Sequence, residues 1–134
     1  MASLVKVEGI GETYASKLAA GGVSTTQELL EKGATPQGRQ EIAANTGISP
    51  KLILEWVNHV DLFRITGIGE EYADLLEAAG VDTVPELAQR NGANLYQKMG
   101  EVNDEKKLVR RMPSEEQVKG WIEQAKKLPR KITY

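Results

Sequence analysis

Gly9-Ile10-Gly11-Glu12 recurs unchanged as Gly67-Ile68-Gly69-Glu70, 58 residues further along the chain. The likeness continues past the tetrapeptide: when residues 9–29 are laid over 67–87, 13 of the 21 positions carry the same residue. The shared set includes Tyr14/Tyr72, Ala15/Ala73, Leu18/Leu76, Gly22/Gly80, Val23/Val81 and Thr25/Thr83. Self-similarity at a fixed offset means one supersecondary unit used twice, which restricts the fold more than composition does. Each copy also sets a glycine turn just before a helix start, where backbone amides and the helix dipole favour an anion.

Every boundary signal along the chain is helical. Tyr14, Ala15, Leu18 and Ala19 share one face, and Gly22 stands where a helix would end in the left-handed conformation. Thr25-Thr26-Gln27-Glu28, Thr83-Val84-Pro85-Glu86 and Ser114-Glu115-Glu116-Gln117 read as capping boxes. In each, a hydroxyl and a third-position acid or amide satisfy each other's orphan backbone amides. Thr35-Pro36 and Ser49-Pro50 pair an N-cap with a first-turn proline. Buried stripes are strongest over 50–63 (Leu52, Ile53, Trp56, Val57, Val60, Phe63) and 114–128 (Val118, Trp121, Ile122, Ala125, Leu128). No run alternates with period two long enough to propose a sheet. The predicted fold is all-α.

The tryptophans extend the repeat. Trp56-Val57 corresponds to Trp121-Ile122, but the offset has grown to 65, so the second copy is about seven residues longer, with the insertion placed near 103–111. Two repeats, 4–61 and 62–134, are expected to pack as one compact pseudo-twofold helical domain. An aromatic content of 5% leaves neither half many large apolar residues of its own.

Several function classes drop out. The chain has no cysteine, which removes disulfides, thiol catalysis and cysteine-based metal sites. His59 is the one histidine; it stands four residues after Glu55 and reads as half of a surface helix pair, so neither a metal nor a cofactor is expected. Glu70, Glu71 and Asp74 do not face a shared substrate at helical spacing, and Gly9-Ile10-Gly11 lacks the downstream glycine of a dinucleotide loop. Catalysis is not expected. No apolar run approaches about 18 residues, and residues 1–6 carry no signal-peptide stretch, so a cytoplasmic protein without membrane contact is predicted.

The segment Val7-Glu8-Gly9-Ile10-Gly11-Glu12-Thr13-Tyr14-Ala15-Ser16-Lys17-Leu18 resembles a helix-hairpin-helix motif, and residues 65–76 repeat it. The glycines permit dihedrals other residues resist, the isoleucine between them plugs the core, and the amides that follow open at the next helix's positive end. Across residues 5–134 the chain resembles a family of uncharacterised tandem helix-hairpin-helix proteins, a domain of unknown function. The likeness runs through Gly33-Ala34-Thr35-Pro36, Thr46-Gly47-Ile48-Ser49, Glu55-Trp56-Val57-Asn58 and Leu128-Pro129-Arg130. It implies the fold and hands over no activity.

Helix-hairpin-helix proteins in general grip the phosphate backbone through hairpin amides and a nearby cation, without reading sequence. That resemblance makes Lys6, Gly9, Ile10, Gly11 and Lys17 candidates in the first copy, and Arg64, Gly67, Ile68 and Gly69 in the second. The chain departs from the pattern at Glu12-Thr13 and Glu70-Glu71, where phosphate-gripping members tend to have Pro, Lys or Arg. Glu8 adds another acid, and Leu75 takes the place of Lys17. A carboxylate at a helix start gains about 0.3–1 kcal/mol from the dipole. It repels a phosphate about 6 Å away by roughly 1–3 kcal/mol.

Charge is unevenly spread. Residues 1–100 hold 8 basic against 13 acidic side chains, whereas 101–134 hold 9 against 6. The densest cationic stretch adds Lys106, Lys107, Arg110 and Arg111 as candidates; it has no interleaved aromatics, so single-strand stacking is not supported. The leading expectation is a non-catalytic module making weak, sequence-independent contacts with DNA or other nucleic acid. Its rival is a protein–protein adaptor or self-associating scaffold, monomer or homodimer, that uses Glu12, Glu70, Glu71 and Leu75.

Overall fold

The computed structural model describes residues 3–7 and 9–134; Glu8 lies outside the described residues. A 3-10 turn at Leu4–Lys6 precedes α1 (Glu12–Ala20), α2 (Thr26–Lys32), α3 (Pro36–Thr46) and α4 (Pro50–Leu62). Then follow α5 (Glu70–Ala78), α6 (Val84–Ala88), α7 (Gly92–Lys106) and α8 (Glu115–Lys127). Among the described residues there is no β-strand; an isolated antiparallel bridge joins Ser3 and Thr25. No described helix is long and apolar enough to cross a membrane.

The chain divides into two compact units. Unit 1 is Met1–Asp61 with Lys131–Tyr134, and unit 2 is Leu62–Arg130. Each passes through four helices in the same order. In unit 1, α1 and α2 pack on α3; in unit 2, α6 and α7 pack on α8, and α5 on α7. The fully buried side chains of unit 1 include Leu18, Leu29 and Ile53, and those of unit 2 include Leu76, Leu87, Leu95 and Met99.

Local chemistry explains the helix ends. Gly22 (φ +94°) and Gly80 (φ +97°) occupy the left-handed region that glycine tolerates best. Around them Val23 donates to Leu18 O and Val81 to Leu76 O, both at 2.8 Å, closing the first helix of each unit with a Schellman motif. Ser114 and Gln117 form a complete capping box, with bonds of 3.1 and 2.9 Å. At α2, Thr25 accepts from the Glu28 amide at 3.1 Å, but Glu28 reaches back to the Ser24 amide instead. Asn91 caps α7 by accepting from the Asn94 amide at 3.0 Å, as Thr35 caps α3 by accepting from Gly38.

Two sequence expectations are corrected. Thr83 is buried and makes no side-chain cap at α6. Glu86, its expected reciprocal partner, instead shares a hydrogen bond with Asp82, which holds the Glu86 carboxyl above its ordinary pKa. His59 is no surface residue; only 2% of it is exposed. It follows Trp56 by three residues on α4, so it falls on the apolar face of that helix.

The extra length of unit 2 is not one inserted block. Relative to α2 and α3, α6 is two residues shorter and α7 four residues longer. The segment 107–114 before α8 is five residues longer than 47–49 before α4.

Candidate nucleic-acid interface

The glycine turns have a structural partner that periodicity does not show. Gly9 has φ +90° and Gly67 φ +98°, and each lies against the tryptophan of its own unit. A Cβ on Gly9 would stand 3.1 Å from Trp56 Nε1, and one on Gly67 3.0 Å from Trp121 Nε1. Beside each indole sits the repeated tyrosine: Tyr14 and Trp56 have ring centroids 5.1 Å apart, Tyr72 and Trp121 5.3 Å. These edge-on and tilted geometries avoid the face-to-face sandwich that the ring quadrupoles disfavour. The sequence paired glycine with glycine and tryptophan with tryptophan, but carried no signal that one touches the other.

The second glycine of each turn does something different. Gly11 and Gly69 are the N-caps of α1 and α5, both extended, and neither supplies a side-chain cap. A Cβ at either would find no atom within 4 Å, so no neighbour crowds these two cap positions. The first-turn amides that follow are the orphan donors of a helix start. Glu12, Glu70 and Glu71 are exposed in the same turns.

Of the expected phosphate contacts, several are removed by burial or prior engagement. Ile10 and Ile68 are 3% and 4% exposed, so both serve as core plugs and offer no surface to a ligand. Leu75 is fully buried in the unit 2 core, which corrects its assignment to a partner interface. Arg64 is half-buried, and its Nη2 donates to the Pro129 carbonyl at 2.7 Å. One nitrogen of its guanidinium is thus engaged by the backbone of unit 2. Lys6 and Lys17 remain exposed, the latter with Nζ 5.8 Å from the Tyr14 ring centroid.

The basic stretch runs from the end of α7 into an anchored loop. Lys106 ends α7 and Lys107 caps it in the left-handed conformation, φ +54°. Asn103 then holds the loop at two points: its Oδ1 accepts from the Val109 amide at 2.9 Å, and its Nδ2 donates to the Val109 carbonyl at 3.2 Å. Val109 itself is buried. The Tyr72 hydroxyl donates to the Arg111 carbonyl at 3.1 Å, which ties the loop to the first turn of α5. Lys106, Lys107, Arg110 and Arg111 all stay exposed. Asn103 and Tyr72 are the positioning residues that sequence reasoning missed; a side-chain amide binding both main-chain groups of one residue has no sequence signature.

Elsewhere, an open cavity of about 370 Å³ in unit 1 is lined by Leu4, Val5, Ala15 and Ala19, with Glu12 and Ser16 among its polar walls. No basic side chain lines it. Among the described residues no three His, Asp or Glu side chains converge to hold a metal ion.

A family model, Domain of unknown function (DUF4332), matches residues 8–128. The chain belongs to this family. The DUF4332 match takes in both glycine turns, both tryptophans and the Asn103-anchored loop. No curated protein and no solved structure matches the chain.

Proposed function

We propose that this DUF4332 domain is a tandem helix-hairpin-helix module without catalytic activity, which makes weak, sequence-independent contacts with the phosphate backbone of duplex nucleic acid, chiefly through unit 2. The observation that carries the reading is the hydrogen bond from Tyr72 to the Arg111 carbonyl. It ties the loop that carries Lys106, Lys107, Arg110 and Arg111 to a residue in the first turn of α5, a helix whose start has no side-chain cap, and that proximity supports the reading. Unit 1 has the same uncapped start but only Lys6 and Lys17 near it in sequence.

The acids limit the affinity. Glu70 and Glu71 stand in the turn a phosphate would approach, and each such charge at about 6 Å removes roughly 1–3 kcal/mol. Non-specific affinities lie at about 10⁻⁴–10⁻⁶ M, a span of about 2.7 kcal/mol, so two such charges are expected to leave binding at the weak end of that range or below it.

Mobility-shift titration of a 20-base-pair duplex across a salt series tests this. Each phosphate contact adds about −0.9 to the slope of log affinity against log salt, so Arg110→Gln with Arg111→Gln should flatten it by about 2. Glu70→Gln with Glu71→Gln should tighten binding. No shift at low salt with tens of micromolar protein would end the nucleic-acid reading. The adaptor reading would then stand on Glu12, Glu70 and Glu71 alone, since Leu75 is buried.

A further inference from the structure

Thr35 caps α3 and Asn91 caps α7 in the same way, which puts the two helices in one register. The first residue to close a helical bond to the cap carbonyl is Arg39 in α3 and Leu95 in α7. Unit 2 buries that leucine completely; unit 1 buries an arginine to 6% exposure at the matching position. A guanidinium in such a place is tolerable only while its N–H groups have acceptors. Arg39 Nη1 donates to the Gly33 carbonyl and Nη2 to the Thr133 carbonyl, both at 2.8 Å.

Thr133 is held on both main-chain groups. Its amide donates to Ala34 O at 2.7 Å while its carbonyl accepts from Arg39. That is the pairing an extended strand makes with a sheet edge, with a side-chain fork in place of one backbone donor. Ile132 is buried at 3% exposure, the Tyr134 hydroxyl donates to Asn58 Oδ1 at 3.1 Å, and the Tyr134 ring lies 5.9 Å from the Arg39 guanidinium carbon. Lys131 and Thr133 are exposed, and Tyr134 is 62% exposed. One short segment therefore satisfies a backbone acceptor, a buried cation, an apolar slot and an amide.

We infer that Arg39, Ala34 and Asn58 form a receptor in unit 1 for a short extended peptide, and that Lys131–Tyr134 is its detachable occupant, so the same segment of a second copy can take the seat. The ligand class follows from the contacts. A β-branched residue fills the slot, the next residue pairs by its backbone, and an aromatic hydroxyl reaches the amide.

Two measurements test this. Native-state hydrogen exchange on the full chain compares the Thr133 amide with that of Ile53, which is bonded to Ser49 O within unit 1. Thr133 is expected to exchange through local opening, at least about 100-fold faster than Ile53. Equal rates with equal denaturant dependence would mean the segment leaves only on global unfolding and would overturn the proposal. The second measurement titrates an acetylated peptide of residues 129–134 into the full chain carrying Ile132→Asp, by calorimetry.

A tethered occupant competes at about millimolar effective concentration, so the peptide should bind the variant at least about ten-fold tighter than the parent. Adding Arg39→Met should abolish binding. Equal affinity for variant and parent, or binding that survives Arg39→Met, would overturn the proposal. Circular dichroism checks that Ile132→Asp keeps its helices; otherwise Thr133→Pro, which removes the amide that Ala34 accepts, replaces it. Unfolding of both variants would make the segment an integral part of unit 1 and sink the idea.

Discussion

Unit 1 and unit 2 set their first glycine against a tryptophan and a tyrosine in nearly the same geometry, with rings 5.1 Å apart in one and 5.3 Å in the other. They part at the residues around this nest. Where unit 1 has Lys17 exposed on α1, unit 2 has Leu75 fully buried on α5. Where unit 2 buries Leu95, unit 1 buries Arg39 and feeds it carbonyls. Unit 2 spends its extra length on an anchored cationic loop, and unit 1 receives Lys131–Tyr134. The shared elements are those that set backbone direction; the altered ones lie both in the cores, at Arg39 and Leu75, and at the surface, at Lys17 and the cationic loop.

The largest expected effects probe what the units share. Trp56→Ala and Trp121→Ala should each destabilise by about 3–5 kcal/mol, read by urea denaturation, because both indoles are buried against a turn that cannot collapse onto the space. Costs differing by more than about 2 kcal/mol would break the equivalence of the two nests. Leu95→Arg transplants the buried cation without its carbonyls and should cost about 3–5 kcal/mol. If it is tolerated, the tail does not explain Arg39.

Smaller effects sharpen the roles of the paired glycines. Gly9→Ala and Gly67→Ala each force a left-handed backbone and press the indole, so losses of about 1–3 kcal/mol are expected in the same assay. Gly11→Ala and Gly69→Ala have a permitted φ and empty space, and should stay within about 1 kcal/mol. Equal costs for the two positions would mean the indole contact contributes nothing.

The smallest effect is peculiar to unit 2. A carboxyl whose folded pKa is raised contributes stability below its unfolded value, and that contribution is lost as pH rises through the folded value. Hydrogen bonding to Asp82 raises Glu86 in this sense from 4.5. Asp82→Asn should therefore stabilise at neutral pH, by no more than about 0.5 kcal/mol, with the gain shrinking as the pH falls toward 4. A gain that grows on acidification would reverse the assignment.

Helix positions were legible because capping residues and apolar spacing act within a few neighbours. Ser114 with Gln117, Thr35 before Pro36, and the stripe through Ile53 and Trp56 are all local statements. Thr83 is buried without capping α6, and His59 is buried where its spacing suggested a surface pair; burial of either depends on tertiary packing that local pattern does not report. The candidate site was half visible. Its cations announce themselves as a run, but the contacts that fix them, from Asn103 and Tyr72, join residues six and 39 positions apart. Arg39 reaching Thr133 spans 94 positions, which no spacing rule addresses.

The seating of one indole in each unit has a practical consequence. With two tryptophans in the chain, Trp121→Phe leaves an emission spectrum that belongs to unit 1 alone, and Trp56→Phe one that belongs to unit 2. Each indole sits near enough to its tyrosine to collect that ring's excitation, so quenching and wavelength together report whether a given nest is intact. The molecule thus carries a separate optical gauge for each half, and coincident or staggered curves will tell whether the halves melt as one.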